Sequence, residues 1–287
     1  MNAGEAEGRG KTERAAGIVG EPLSPATLAR IGAVKGFPAP GAGYRPEGPW
    51  VQAYRIFVCR GNVESGNEDV GCLRLERRPA GAGDSFKLIA DQSVVHNDDT
   101  LHTLHAEMTC IRRPFAPLVE WRLTSRCRGA SDALIPDLSV DESGRVSNGV
   151  VELHRKGGVA RWKARGTVTS DWSLFAAIQD LPLGAVPAEA FDFLEGLSLL
   201  RTSYRLAYRG TVSWGGGGLE GPLHHFEQWG HGTLPYGFWL DRQRRILVAA
   251  TLARAYILDD RAEEALRERR EGRLQRNRQR NQRRKNG

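Results

Sequence analysis

Apolar and polar residues alternate along the middle of this chain, and the alternation predicts strands, because successive strand side chains point to opposite sides. In YRLAYRGTVSW, Tyr204, Leu206, Tyr208, Val212 and Trp214 share one face, and Arg205, Arg209, Thr211 and Ser213 the other. Val119, Trp121 and Leu123 alternate with Glu120, Arg122 and Thr124. Trp162, Ala164 and Val168 alternate with Arg161, Lys163, Arg165 and Thr167. Weaker versions run through 51–60, 70–76, 85–95 and 101–111. So many half-apolar segments imply an antiparallel sheet with one covered face. The expected fold is mainly β: a large antiparallel curved sheet, a meander closing partly into a half-barrel or open barrel, with few short helices.

One hairpin can be placed in detail. Gly157-Gly158 separates VVELHRK from VARWKARG, and two glycines permit the positive φ angles of a tight turn. Lys156 opposite Val159 then sets Leu153 against Trp162, and Glu152 against Lys163 as an ion pair. A similar hairpin turning near residues 65 and 66 would set Cys59 opposite Cys72. Cys110 continues the Leu104, Ala106, Met108 face, and Cys127 the Trp121 face, so both are expected to point inward. His102 shares the Leu104 face, as a hydrogen-bonded core residue. The four cysteines contain no CxxC pair, which disfavours a zinc ribbon or thioredoxin-like motif. They are read as reduced thiols.

The chain divides into three parts. Residues 1–49 read as a mostly disordered N-terminal segment with a short helix, Ser24 capping it and Pro25 opening it. Its last stretch, 36–49, is an irregular Pro- and Gly-rich lead-in. Residues 50–258 form a single antiparallel β domain, and 259–287 a basic helical or disordered tail. Between Leu181 and Leu200 two readings stay open: AEAFDFLEGL as a short helix behind Pro187, or a loop. Gly215 to Gly218 read as a hairpin tip.

Composition supports a real core: 40% of residues are hydrophobic, with nine Phe, seven Trp and six Tyr. No apolar run approaches the roughly 20 residues that cross a bilayer as a helix. The first 17 residues hold no apolar signal core, so the expectation is a cytoplasmic protein, with the envelope or periplasm as the alternative if the start lies elsewhere.

Charge is unevenly placed. The formal net charge is +7. From Arg261 to Gly287 there are 11 Lys/Arg and 4 Asp/Glu, also +7, so the body is neutral. Arg273, Arg276, Arg278, Arg280, Arg283, Arg284 and Lys285 are candidate contacts for nucleic acid or an acidic surface. The tail carries no aromatic to stack on bases, so any such binding is electrostatic.

Catalytic motifs are scarce. WGGGGLEG lacks the ending of a phosphate loop, and GxSxG is absent. HHFEQWGHG brings together His224, His225, Glu227 and His231, residue types that bind zinc or iron, but without a standard ligand spacing. No cofactor is implied. Trp121, Trp162, Tyr204, Tyr208 and Trp214 sit on apolar faces, either as core or as the lining of an apolar concavity.

The segment HHFEQWGHGTLPYGFWLDRQRRILVAATLARAYILDD, with its Trp-Leu-Asp turn, and the meander before it resemble the bacterial lipoprotein-carrier-like superfamily and related envelope proteins. The resemblance spans about residues 50 to 258. It implies a half-barrel that holds acyl chains or other hydrophobic ligands, and carries over no site residue. Three functions therefore stand: a non-catalytic binding or scaffold protein holding an apolar or lipid-like ligand, an adaptor acting through the Arg-rich tail, and a metal-dependent enzyme using the 224–231 cluster.

Overall fold

In a computed structural model of the chain, the described residues are 23–34, 36–59, 68–81, 83–184, 186, 189–216 and 219–286. Expectations for residues 1–22, the turn near 65 and 66, Pro187 and the centre of the glycine run lie outside them. The strands are β1 (Trp50–Val58), β2 (Glu68–Pro79), β3 (Ser85–Val95), β4 (Leu101–Ile111), β5 (Leu118–Arg128), β6 (Val140–Ser147), β7 (Val150–Arg155) and β8 (Gly158–Lys163). They continue as β9 (Thr167–Ser170), β10 (Phe191–Glu195), β11 (Leu199–Gly216), β12 (Leu219–Trp229), β13 (Tyr236–Leu240), β14 (Ile246–Ala250) and β15 (Arg254–Leu258). Among the described residues three α-helices accompany them: α1 (Pro25–Arg30), α2 (Asp171–Asp180) and α3 (Ala262–Asn286).

All fifteen strands form one sheet in the order β8-β7-β6-β5-β4-β3-β2-β1-β15-β14-β13-β12-β11-β10-β9. The β9–β10 pair is parallel and the other described pairs are antiparallel. The sheet is mainly β, curved and open, as the alternation implies. Its two edges, β8 and β9, are consecutive in the chain, so three residues, 164–166, cross the seam that hydrogen bonds leave open. The Trp162-to-Val168 alternation therefore belongs to two edge strands and not to one.

The concavity is filled by α2. Ser170 caps this helix with a reciprocal Ser170–Ser173 box, and every residue from Trp172 to Gln179 is buried. A helix apolar all round must be enclosed. The Phe175 ring meets Tyr54 of β1, Phe238 of β13 and Tyr256 of β15 edge-on, at 5.5, 5.6 and 5.9 Å. Helix and wall thus share one core.

The chain before β1 is fastened across the end of the sheet where α2 finishes. Arg245 donates to the Pro38 carbonyl (2.8 Å), and Arg77 and the Trp50 indole donate to that of Pro46 (2.8 and 2.9 Å). Tyr44 donates to Gln179 of α2 (2.7 Å) and Gln179 exchanges hydrogen bonds with Gln52. Arg77 is buried, lies over the Phe86 ring at 4.0 Å and pairs with Asp180 at 2.6 Å. The irregular lead-in is therefore an ordered strap that closes this end.

Local details correct three expectations. In the β7–β8 hairpin the loop is Lys156-Gly157, with Arg155 opposite Gly158, Leu153 opposite Ala160 and Val151 opposite Trp162. The shift of two residues preserves the faces, and Glu152 pairs with Arg145 and Arg161 instead of Lys163. Second, Cys72 stands opposite Arg55, not Cys59, and all four thiols are free. Third, AEAFDFLEGL contains β10, because alternate pairing to β9 and β11 claims its backbone.

Candidate functional site

The end of the half-barrel opposite the strap is the candidate site. Strand direction places the starts of β2, β4, β13 and β15 there, with the β3–β4 and β5–β6 turns. The N-terminus of α2 faces this half of the interior. Asp171, the first helical residue, accepts a hydrogen bond from the Gly196 amide at 2.6 Å. Burial pushes its carboxyl up to about 6, and the Gly196 bond acts the other way. The same carboxylate raises Tyr236 and Tyr256, whose phenols are lifted chiefly by burial. Tyr256 donates to Gln92 of β3 at 3.2 Å. Gln228 stands directly across from Tyr236 and is buried. Phe238, two residues from Tyr236 on the same face, touches α2, so this face points inward.

The opposite wall carries His102, Leu104, Ser125 and Cys127. His102 Nε2 lies 2.6 Å from Ser125 Oγ, which satisfies the inward imidazole expected from the alternation. Burial lowers the His102 pKa, so the ring is neutral near pH 7. No carboxylate orients its other nitrogen among the described residues, so the pair is a hydrogen bond and not an activated nucleophile. At the rim, a hollow of about 610 Å³ runs from His96 and Asp98 to His102, Cys127 and Leu138. This half of the interior thus carries polar groups, Asp171, the two tyrosines and His102, among apolar wall. Among the described residues it shows no nucleophile–base constellation.

The five aromatics expected to line a concavity are spread out. Trp121 is buried with its indole ring against Gly144, where an added Cβ would lie 2.1 Å from Cζ2. Trp162 is half-buried on edge strand β8. Tyr204 is buried and stacks on Phe193 at 5.0 Å. Tyr208 is half-buried, 2.9 Å from His224 Nδ1. A bulge after Tyr208, with Gly210 at φ +98°, shifts the register by one residue. Val212 and Trp214 therefore leave the Tyr208 face, and Trp214 packs against Phe37 of the strap at 5.8 Å.

His224 and His225 alternate to opposite faces. His225 stacks on Trp239 at 4.5 Å, Glu227 takes Arg209, and His231 lies in the exposed turn that follows. Among the described residues no group of three or more His, Cys, Asp or Glu could hold a metal ion. No described helix is long and apolar enough to cross a membrane.

The tail is a helix docked on the sheet. α3 lies against β1, β2 and β3, with Ala262 buried. Arg269 pairs with Glu68 at 2.9 Å, and Arg276, which is exposed, with Asp99 at 3.3 Å. Arg273 is fully buried, donates to the Asp99 and Gly129 carbonyls and lies 3.7 Å from Asp132. Its charge faces the body. The side chains of Arg278, Arg280, Arg283, Arg284 and Lys285 lie outside the described residues, although their backbone continues the helix.

Asp171, Gln228, Tyr236 and Tyr256 escaped the sequence reading. The only local signal was the S-x-x-S cap before DWSLFAAIQD, which marks a helix start but not what surrounds it.

No protein-family model matches the chain, and no curated protein matches it. Among solved structures, it is similar to a β-barrel-like protein of the domain of unknown function DUF1849 from Brucella abortus. The TM-score is 0.51 at 9% identity, over 75% of this chain and 97% of that one. The likeness is one of fold: a β-barrel-like sheet.

Proposed function

We propose that this protein is a non-catalytic binding module that takes a small amphiphilic or lipid-like ligand at the open end of the half-barrel. The observation that carries the reading is the asymmetry of the two ends. One is closed by the strap and its buried Arg77–Asp180 and Gln52–Gln179 contacts. The other keeps half-buried polar groups, Asp171, Tyr236, Tyr256 and His102, beside apolar wall. Pockets that mix an apolar lining with a few convergent polar groups are the usual form of small-ligand sites. The resemblance to half-barrel carriers supports the same reading. Displacement of a neutral fluorescent probe by fatty acids and phospholipids tests it. Saturable binding is expected, weakened about fivefold or more by Leu104→Trp, which narrows the open end. Absence of saturable binding for every apolar probe, or indifference to Leu104→Trp, overturns it.

A second reading rests on α3. Its helical backbone continues beyond Arg273 through a basic stretch to Asn286, which suits an adaptor that touches nucleic acid or an acidic surface through Arg276, Arg278, Arg280, Arg283, Arg284 and Lys285. Removing residues 277–287 should abolish retention on heparin and RNA, and the retention should fall steeply with salt. Unchanged retention by the truncated protein rules this reading out.

A further inference from the structure

The outer face of the sheet carries a trough that the open end does not use. It crosses β3 to β7, has a volume of about 550 Å³, and has walls that include Lys87, Glu107, Glu120, Arg122, Arg145 and His154. Register explains its chemistry. Lys87, Thr109, Glu120, Arg145 and Glu152 form one cross-strand row; Ile89, Glu107, Arg122, Ser143 and His154 form the next. The floor between them is the backbone of Met108, Trp121 and Gly144; the Met108 and Trp121 side chains belong to the inner face.

Among the described residues most arginines of these outer rows are paired, although Lys163 on edge strand β8 is not. Arg126 holds Asp141, Arg145 and Arg161 share Glu152, and Arg74 and Arg78 share Glu76. Arg122 and Lys87 have no such partner among the described residues. Arg122 stands directly opposite Glu107, yet Glu107 reaches His105 at 3.4 Å instead. Among the described residues Glu120 accepts only a hydroxyl, that of Thr109, at 3.3 Å. Two free cations and two carboxylates without an arginine partner thus face one hollow. Cross-strand ion pairing would have used them up had the strands been arranged for stability alone.

We infer that this trough is a binding site for a small zwitterion, its phosphate or carboxylate held by Arg122 and Lys87 and its ammonium by Glu107 and Glu120. An anion alone would meet the two carboxylates and an amine alone the two cations, so a ligand carrying both charges is favoured over either. An ethanolamine phosphate has this chemistry, free or as a lipid headgroup.

Titration calorimetry of the full chain with O-phosphoethanolamine tests the inference, beside inorganic phosphate and ethanolamine as single-charge controls. Saturable binding of phosphoethanolamine is expected, at least about fivefold tighter than either control. Arg122→Met should weaken it about tenfold, and Glu107→Gln should erase the preference over inorganic phosphate. Co-sedimentation with vesicles of phosphatidylethanolamine in phosphatidylcholine separates the sources. Vesicle binding sensitive to Arg122→Met marks a lipid headgroup, and binding of the free compound alone marks a soluble ligand. Both side chains are exposed, so these variants should retain the fold, which circular dichroism checks. Equal binding of phosphate and phosphoethanolamine, indifference to Arg122→Met, or no binding in either form overturns the proposal.

Discussion

At the scale of single residues, two positions show how the interior fixes chemistry. Gly144 has no need of positive φ. It is glycine because the Trp121 ring occupies the place of its side chain, and the Glu152 carbonyl lies 2.6 Å from where a Cβ would stand. Gly144→Ala should lower stability by about 1–3 kcal/mol, the usual cost of overpacking, read as a lower urea midpoint at unchanged slope. An unchanged midpoint would mean that the indole can move aside. Asp171 gives a pH signature. Its folded pKa is about 6, against roughly 3.9 in an unfolded chain. Below pH 4 both states are protonated and its contribution is fully present. Between about 4 and 6 the unfolded chain ionises while the folded one keeps its proton, so the contribution falls as pH rises, and it levels off above 6. Asp171→Asn cannot titrate. The stability of the natural protein minus that of the variant should therefore decline from pH 4 to 6 and then stay flat. A flat difference throughout would show that this carboxyl is well solvated.

Elements differ in how much of them the sequence betrays. The helix α3 is held by a residue that pattern reading assigns to solvent: Arg273, enclosed and donating to the Asp99 and Gly129 carbonyls. Hydrogen bonds from a charged donor contribute about 1.5–3 kcal/mol each. Arg273→Met should thus raise amide exchange from about residue 262 to 276 while the strands keep their protection; unchanged exchange would place the anchor elsewhere. The strands were legible because a half-buried ribbon writes its two faces in alternate letters, as Met108, Cys110, Trp121 and Leu123 do. Alternation breaks where the backbone does, at the Gly210 bulge and at the 164–166 crossing; each holds a glycine, which hints at a break but does not say where the chain goes next. β14 reads ILVAA and is buried at every position, so it has no period to detect. α2 was hidden for the same reason: Trp172, Leu174, Phe175 and Ile178 surround its axis, and an enclosed helix has no wet stripe. With α2 unseen, the polar groups at its N-terminus had no address. Asp171 looked like one carboxylate among many, and Tyr236 and Tyr256 like ordinary strand aromatics.

At the scale of the whole molecule, closure is the unusual feature. Barrels remove their edges by hydrogen-bonding first strand to last. Here β8 and β9 remain edges, and what holds the ring is its contents. Ser170 reaches Met108 across the interior, Ser198 reaches Glu142 at 2.6 Å, and α2 packs on strands from both sides of the ring. The covalent crossing at 164–166 adds the Ala164 amide on the Gly149 carbonyl (2.8 Å) and the Arg165 and Gly166 amides on Asp192. These two kinds of closure can be separated. Inserting six Gly/Ser residues between Ala164 and Arg165 leaves each of those bonds possible while lengthening the link threefold. If the shared core closes the ring, only loop entropy is lost, about (3/2)RT ln 3, or roughly 1 kcal/mol. Unfolding should stay a single cooperative transition, with the near-ultraviolet signal of the buried aromatics unchanged. If instead the short link closes the seam, the strands beside it should loosen first: amide exchange would rise in β7, β8, β9 and β10 while the β1–β15 ladder keeps its protection. The T-shaped contacts of Phe175 with Tyr54, Phe238 and Tyr256 favour the first outcome, since they hold the helix that follows β9 on β1, β13 and β15 without using the seam.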